Sequence, residues 1–315
     1  MIKFTALLFI VATCAFTSPR AHAVASCGLS LTVSNITLVW STSLPTQQIT
    51  FKVKKSKNAP CDYFVTFSKG GASDYNRRML SGSNTLRYQI YKEAALTNIL
   101  KELPEVTSDD EIITGSFGVG SDQTQTRTYF VQIPLNLATT PTLKPSGTYV
   151  NTFIMRVYRD NPANSLLENS KNVLIKTTIQ KNVQLSLVNS GGAFNPSDTT
   201  QAVAFGTLTT GASRAFDMRV LTNAGYRVTF SSQNNGALKH ALANVTTAVP
   251  YTLTINGLPK NLSSSKTVPI VVASGSGQTS VDGVGHAVEV IIGSVTDKMA
   301  GAYSDIITVT AATAE

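Results

Sequence analysis

The sequence predicts an all-β fold, with two immunoglobulin-like β-sandwich domains in tandem. Two observations lead to this prediction. Short runs in which apolar and polar residues alternate are separated by Gly, Asn, Ser and Pro, a pattern typical of sandwiches and barrels. Several of these runs also occur twice in the same order, which indicates one β-domain repeated along the chain.

The first 23 residues have the composition of a secretory signal peptide. Lys3 precedes an apolar run from Phe4 to Phe16, and Ala21-His22-Ala23 forms a small-residue cleavage site. The apolar run is shorter than the roughly 20 residues that a membrane-spanning helix needs. We therefore expect an exported protein that starts near Val24, and an N-terminal anchor helix is the less favoured alternative.

Eleven runs show the alternation expected of strands, and they are rich in Val, Ile, Thr, Tyr and Phe. The runs are residues 63–67, 86–91, 128–133, 152–158, 183–188, 216–220, 226–230, 251–255, 268–273, 286–292 and 306–311. The segment 91–103 differs, because it places Leu96, Leu100 and Leu103 with two further apolar residues at helical spacing. It is predicted either as a short helix in a connection or as an irregular loop that exposes its leucines.

An internal repeat relates the two halves of the chain. Residues 63–68 match 226–231, residues 86–90 match 249–253, and residues 147–155 match 301–309. The offsets are 163, 163 and 154 residues, and the order is the same in both halves.

The repeat sets the predicted domain boundaries. After the signal peptide (1–23), we expect an N-terminal domain over 24–160 and a C-terminal domain over 179–315. Residues 161–178 between them are predicted to be a linker, because the stretch 159–172 contains Pro162 and four asparagines and shows no β alternation.

The C-terminal domain has too few strands for a closed sandwich. Immunoglobulin-type sandwiches need about seven strands, and about six of the seven runs in this half count as good strands. A missing strand leaves an apolar groove and an unpaired sheet edge. We therefore expect the edge with Tyr303, Ile307 and Val309 to be completed by a β-strand from another chain, through donor-strand complementation.

Two cysteines, Cys27 and Cys61, remain after the signal peptide, which contains Cys14. In an exported chain two cysteines favour one disulfide, and closing a loop of this length stabilises by about 3–4 kcal/mol in chain entropy. A metal site or a catalytic thiol is the alternative. Two thiolates supply half of a zinc site, however, and no His stands near either cysteine in the sequence.

Composition disfavours nucleic-acid binding. Without the signal peptide the chain has 24 basic and 18 acidic residues, a net charge of +6 (24 minus 18). The densest basic run, 51–59, alternates lysines with apolar residues as on the solvent face of a strand. A patch for acidic surfaces or polysaccharide is the alternative. Aromatic residues do not interleave with these lysines, as base stacking would require.

Motifs for catalysis are also missing from the sequence. His240 and His286 lack metal-ligand spacing, and no nucleophile elbow or phosphate loop is found. The acidic run 108–111 is typical of an exposed turn, and the glycine-rich run 275–285 lies between strands, as hairpin loops do. We therefore expect no enzymatic activity, no cofactor and no metal.

The ordered motifs of both halves resemble the spore coat protein U family. The motifs are CDYFVTF (61–67), LRYQIY (86–91), PSGTYVNTFIMRVY (145–158), GYRVTFSSQNNGALKH (225–240) and AGAYSDIITVT (300–310). The family includes subunits of archaic, Csu-type chaperone–usher pili. The resemblance implies a periplasmic chaperone, an outer-membrane usher and a next pilus subunit that donates a β-strand. It also implies a Cys27–Cys61 disulfide, although the second half lacks an equivalent pair.

The resemblance further implies a tip adhesin on the cell surface that mediates attachment and biofilm formation. Only Val24, Ala25 and Ser26 stand between the predicted cleavage site and Cys27, whereas a donor strand needs roughly 8–10 residues at ~3.3 Å each. Such a subunit can receive a strand but cannot lend one. The alternatives are a secreted spore-coat or matrix protein of the same family, a strand-donating pilin and, least favoured, a secreted enzyme or polysaccharide-binding module.

Tip domains of this kind adhere to abiotic or host surfaces through exposed hydrophobic loops. An apolar loop that cannot fold back is costly in water, which favours contact with a surface. Loops 40–46, 116–121 and 136–143 are the candidates. Their adhesion residues are Trp40, Leu44, Pro45, Phe117, Val119, Leu137 and Pro141. Ordinary packing of strand ends is the alternative, and it is favoured for Trp40.

Overall fold

The structure is a computed structural model that describes residues 26–40, 46–134 and 143–314. These residues form two immunoglobulin-like β-sandwich units, which confirms the predicted fold class. One hydrophobic core extends from Cys27 to Ile179 and a second from Leu187 to Ile292. Outside the strands, the helical structure in the described residues is limited to two 3₁₀ turns, Asp109–Glu111 and Pro162–Asn164. Within the same residues, no helix is long and apolar enough to cross a membrane.

The first unit consists of two facing sheets. Its strands are β1 (Leu29–Thr32), β2 (Ile36–Leu38), β3 (Gln47–Lys55), β4 (Cys61–Phe67), β5 (Arg78–Ser81), β6 (Asn84–Arg87), β7 (Gln89–Tyr91), β8 (Ile113–Phe117), β9 (Gln123–Gln132), β10 (Gly147–Arg159) and β11 (Leu166–Ile179). One sheet has the strand order β1-β3-β9-β7. The other has the order β2-β11-β10-β4-β8, and the β5–β6 hairpin is attached to it through β10.

The second unit repeats this plan with different edges. Its strands are β12 (Val183–Asn189), β13 (Ser213–Thr222), β14 (Tyr226–Ser232), β15 (Ala237–His240), β16 (Ala248–Ile255), β17 (Leu258–Lys260), β18 (Ile270–Gly275), β19 (Val284–Ile292), β20 (Tyr303–Ser304) and β21 (Ile307–Thr313). The larger sheet has the order β12-β13-β19-β16-β15-β20, with β17 paired to β16. The smaller sheet has the order β18-β14-β21. Every one of the eleven alternating runs overlaps a strand of the structure.

The internal repeat extends to the pairing of residues across strands. In the first unit, Phe67 of β4 lies opposite Met155 of β10. In the second unit, Phe230 of β14 lies opposite Val309 of β21. These residues are related by the same offsets of 163 and 154 that the sequence motifs show. The two halves therefore share a strand register as well as a set of motifs.

Each unit also repeats a contact between a tyrosine ring and a glycine on the neighbouring strand. Tyr63 lies opposite Gly115, and Tyr226 lies opposite Gly275. A Cβ atom added to either glycine would lie 2.4 Å from a carbon of the tyrosine ring. Glycine is therefore required for the ring to lie across the adjacent strand.

The predicted linker, residues 161–178, is wrong, because 166–179 form β11, the longest strand of the first unit. β11 pairs with β10 along its whole length. Its first half lacks apolar alternation because two polar side chains there bind the backbone of the opposite sheet. Glu168 accepts hydrogen bonds from the backbone of residues 27–29, and Asn169 accepts one from the N–H of Leu31 at 3.3 Å.

The segment 91–103 is an irregular loop, so the helical alternative is wrong. Leu96 has a φ of 60°, which is incompatible with a right-handed helix. Leu100 is fully buried rather than exposed. The buried Arg77 holds it there, because its guanidinium donates to the carbonyls of Leu100 at 2.6 Å and Phe67 at 3.1 Å. Burial lowers the pKa of Arg77 to about 10.

Gly275→Ala is expected to destabilise the second unit by about 1–3 kcal/mol, because the new methyl group must displace the Tyr226 ring. Gly71→Ala is the control, since no atom lies within 4 Å of the added Cβ. The control should change the free energy of unfolding by less than about 0.5 kcal/mol. Denaturant titration of both variants checks this, and equal stability of the two would contradict the proposed steric role.

Candidate functional site

An elongated groove of about 1150 Å³ opens in the second unit beside β21. Its base consists of core side chains, among them Phe216, Phe230, Val249 and Val290. The segment 199–208 lines one side, and residues 300–309 line the other. The groove is therefore an opening of the hydrophobic core along the edge of a sheet.

The strand β21 has one paired edge and one free edge. It pairs with β14 from Ile307 to Thr313. No strand in the described part of the chain pairs with its other edge. The equivalent strand of the first unit, β10, is paired on both edges, with β4 and with β11 through thirteen residue pairs. The groove thus lies where the first unit has β11.

A second backbone edge borders the groove. In the first unit β2 runs parallel to β11, with Ile36 opposite Ile175 and Leu38 opposite Thr177. In the second unit the corresponding stretch, between β12 and β13, contains Val203 and Phe205, which are half-buried at alternating positions. Residues 203–205 belong to no strand of the described chain. A strand placed in the groove would therefore find a partner edge on each side.

All three residues predicted for the donor edge line the groove. Ile307 and Val309 project from β21 and pack against the core. Tyr303 lies on β20, where its ring meets His240 edge-on at 4.9 Å and its hydroxyl donates to the carbonyl of Met299 at 2.8 Å. Whether a partner strand occupies this edge stays a prediction.

Asp305 fixes the bend between β20 and β21 at the groove. Its carboxylate accepts hydrogen bonds from the hydroxyls of Ser232 at 2.6 Å and Tyr251 at 2.7 Å, and from the N–H of Asn234 at 3.0 Å. Burial raises the pKa of Tyr251, and its hydrogen bond to Asp305 raises it further. These bonds hold the backbone so that β21 presents Ile307 to the groove.

The first unit has a near end, which adjoins the second unit, and a far end opposite to it. At the near end Gly147 is paired with Ile179, the last residue of β11. Asn223 of the second unit accepts hydrogen bonds there from the N–H groups of Ser146 at 2.9 Å and Asn182 at 2.7 Å. At the far end lie the β8–β9 connection, which joins the two sheets, and the β10–β11 turn.

The far end carries three exposed apolar side chains. Val119 in the β8–β9 connection is 72% exposed. Leu166 and Leu167, which begin β11, are 46% and 56% exposed. The sequence analysis missed these two leucines because it assigned them to a linker. The sequence feature that points to these leucines is an apolar pair directly after the turn at 160–165.

The structure corrects part of the predicted adhesion surface. Phe117 is buried and stacks on Tyr63 with ring centroids 5.2 Å apart, so its assignment to an exposed loop is wrong. Trp40 is half-buried and packs against the first core, as strand-end packing predicts. Val119 is exposed as expected. Leu44, Pro45, Leu137 and Pro141 lie outside the described residues.

The strand ends that flank the remaining two candidate loops lie on the near side. Leu38 and Gln47, the strand ends that flank loop 40–46, are paired with Thr177 and Val131. Both partners lie close to the ends of their strands, β11 and β9, on the near side. The flanks of loop 136–143 are the end of β9 and the start of β10, also on the near side. The candidate loop that the structure describes, the β8–β9 connection with Val119, lies at the far end.

The predicted Cys27–Cys61 disulfide is present, with Cα atoms 6.2 Å apart, and it lies at the far end. Beside it, Glu168 ties the start of β1 to β11. Its carboxylate accepts from the hydroxyl of Ser26 at 2.6 Å and from the N–H groups of Cys27 at 3.0 Å and Leu29 at 3.3 Å. Burial alone would raise the pKa of Glu168, but these hydrogen bonds, with Arg159 nearby, hold it below its ordinary value.

The site chemistry is that of packing and backbone pairing. In the described ranges, no group of three or more His, Cys, Asp or Glu side chains is placed to hold a metal ion. The groove is lined mainly by apolar side chains, with an unpaired strand edge on one side. Such a surface is suited to receive an extended peptide.

A family model matches the first half of the chain. Residues 2–156 match the family model of the Spore Coat Protein U domain. No curated protein matches the sequence.

Several solved structures are similar at low sequence identity. The CsuC–CsuE chaperone–tip adhesion subunit pre-assembly complex, from archaic chaperone–usher Csu pili of Acinetobacter baumannii, is 12% identical with a TM-score of 0.39, covering 90% of this chain and 99% of that chain. CfaE, the adhesive subunit of CFA/I fimbria of enterotoxigenic Escherichia coli, is 13% identical with a TM-score of 0.39, covering 90% and 93%. The CupB6 tip adhesin from Pseudomonas aeruginosa is 10% identical with a TM-score of 0.34, covering 89% and 91%.

Asp305→Asn is expected to destabilise the second unit by about 1–3 kcal/mol. An amide offers one acceptor oxygen where Ser232, Tyr251 and Asn234 now share two, so a buried donor loses its partner. Asp297→Asn is the matched control, because Asp297 is exposed and its φ of 59° is tolerated by asparagine. Thermal unfolding of the two variants tests this prediction. An unchanged unfolding midpoint for Asp305→Asn would contradict the role given to this carboxylate.

Proposed function

Because residues 2–156 match the family model of the Spore Coat Protein U domain, we propose that this protein is the tip subunit of a chaperone–usher pilus. In this proposal the second unit receives a β-strand from the next subunit of the fibre. The first unit meets a surface with its far end, which mediates attachment and biofilm formation. The protein acts by binding and not by catalysis.

One observation carries the proposal: the free edge of β21 borders an apolar groove at the position that β11 fills in the first unit. An unpaired strand edge beside an apolar groove is a template for another strand. The first unit supports the same inference, because there the equivalent strand β10 is covered by a strand of its own chain. The second unit needs the equivalent strand from a partner.

The open groove also explains the proposed need for a periplasmic chaperone. Core residues that face water favour aggregation, so an extended segment must cover the groove before assembly. A chaperone strand can do this until the next subunit replaces it at the outer-membrane usher. The same physics thus accounts for both proposed partners, because each supplies a strand for the same edge.

The geometry of the first unit supports a contact role for its far end. The near end continues into the second unit through β11, so the far end points away from the fibre. There, Val119, Leu166 and Leu167 expose apolar area beside the anchored start of β1. Exposed apolar groups of this kind mark an interaction surface. We therefore assign attachment to these residues in place of the buried Phe117.

A synthetic peptide with the sequence of residues 170–179, SKNVLIKTTI, is expected to bind the second unit of the full chain. This segment presents Val173, Ile175 and Ile179 to the first core, so its alternation suits the equivalent groove. At a free concentration of about 100 times Kd, the peptide should stabilise the unit by about 2.7 kcal/mol. Scanning calorimetry with a scrambled peptide as control measures the effect.

The matched variants Ile307→Lys and Thr310→Lys show whether the peptide occupies the groove. Ile307 lines the groove, whereas Thr310 on the same strand is exposed and does not line it, so the same charge is placed on opposite faces. Ile307→Lys should abolish peptide stabilisation, and Thr310→Lys should preserve it. Equal behaviour of the two variants, or no stabilisation of the parent chain, would contradict strand acceptance.

The triple variant Val119→Ser, Leu166→Ser, Leu167→Ser is expected to reduce attachment of cells to polystyrene at least about tenfold, because the lost apolar contacts exceed ~1.4 kcal/mol. Assembly of the subunit into surface fibres should be unchanged. The control is Leu258→Ser, which removes an exposed leucine from the second unit. Undiminished attachment by the triple variant, with normal fibre display, would remove the far end from the adhesive surface.

A further inference from the structure

The outward face of the sheet β1-β3-β9-β7 carries positive charge and no carboxylate. Lys52 and Lys54 of β3 are exposed, while Phe51 and Val53 between them point into the core. None of the residues in these four strands is Asp or Glu. Lys57, two residues beyond the end of β3, is also exposed and extends the charge to the far end.

Several other cations of the first unit are paired with acids, unlike these lysines. Three such pairs are Lys69–Glu105, Lys101–Glu111 and Arg156–Glu102. Within the residues that the structure describes, Lys52, Lys54 and Lys57 have no acidic group within ion-pair distance. Their charge is therefore available to an external anion.

Hydroxyl groups flank each lysine in the rows that cross the sheet. Lys52 lies between Thr32 on β1 and Thr126 on β9. Lys54 lies between Ser30 and Thr124 in the next row on the same face. Two lysines at alternate positions of a strand are roughly 6.6 Å apart along it, so both can contact one extended polymer.

We propose that this lysine–hydroxyl face binds an anionic polysaccharide. The carboxylate or sulfate groups of the polymer pair with Lys52 and Lys54, and its hydroxyl groups exchange hydrogen bonds with the neighbouring threonines and serine. The face is separate from the groove beside β21 and from the apolar residues of the far end. The proposal therefore stands whether or not the second unit accepts a strand.

The composition of the face favours a glycan over other polyanions. The two lysine rows contain no aromatic side chain on which a nucleobase could stack. They also contain no large apolar side chain that could enter a lipid bilayer. Ammonium and hydroxyl groups alternating on a flat sheet match a ligand that is itself rich in hydroxyls and anions.

The test uses the full chain immobilised on a biosensor, with heparin and polygalacturonate as anionic probes and dextran as the neutral probe. Both anionic polymers should bind, dextran should not, and binding should weaken with salt because the lysines are exposed. The double variant K52Q/K54Q should weaken binding at least about fivefold. The matched control K171Q/K176Q removes two exposed lysines from β11, and it should change binding less than about twofold.

Three results would overturn the proposal. The first is failure of both anionic polysaccharides to bind the parent chain. The second is an equal loss of binding in K52Q/K54Q and K171Q/K176Q, which would show a general attraction without a defined face. The third is equal or tighter binding of poly(dT) or of phosphatidylserine vesicles to the same face, because the partner would then not be a glycan.

Discussion

Backbone pairing at one strand edge governs the organisation of this protein. A core strand in a sandwich needs partners for the N–H and C=O groups on both of its edges, because unpaired polar groups beside a hydrophobic core are costly. β10 meets this requirement within the chain, through β4 and β11. β21 meets half of it, through β14. The closed first unit and the grooved second unit both follow from this difference.

Much of the fold could be predicted because its signals are local. Alternation of apolar residues identified eleven strands, and the repeated motifs contain the residues that the structure pairs in the same register, Phe67 with Met155 and Phe230 with Val309. Two cysteines in an exported chain left one simple pairing, which the structure contains. The strand edge that lines the groove could be predicted for the same reason, because the strand with Val309 repeats a strand of the first half.

The rest depends on contacts between residues far apart in sequence. β11 could not be predicted from the sequence pattern. Glu168 occupies a core-facing position and binds the backbone of residues 27–29, which interrupts the apolar alternation there. Phe117, between glycines, has the sequence signature of an exposed loop, yet Tyr63 and Lys55 cover its ring. The exposed leucines that begin β11 could not be recognised until that strand was known.

The antiparallel pair β10–β11 has a mechanical consequence for a protein held at both ends. β11 runs from the far end to the near end, where three residues separate it from β12. Its hydrogen bonds to β10 lie perpendicular to the strands. Tension between an anchored far end and the second unit would therefore load those bonds in shear, all together, instead of peeling them apart singly.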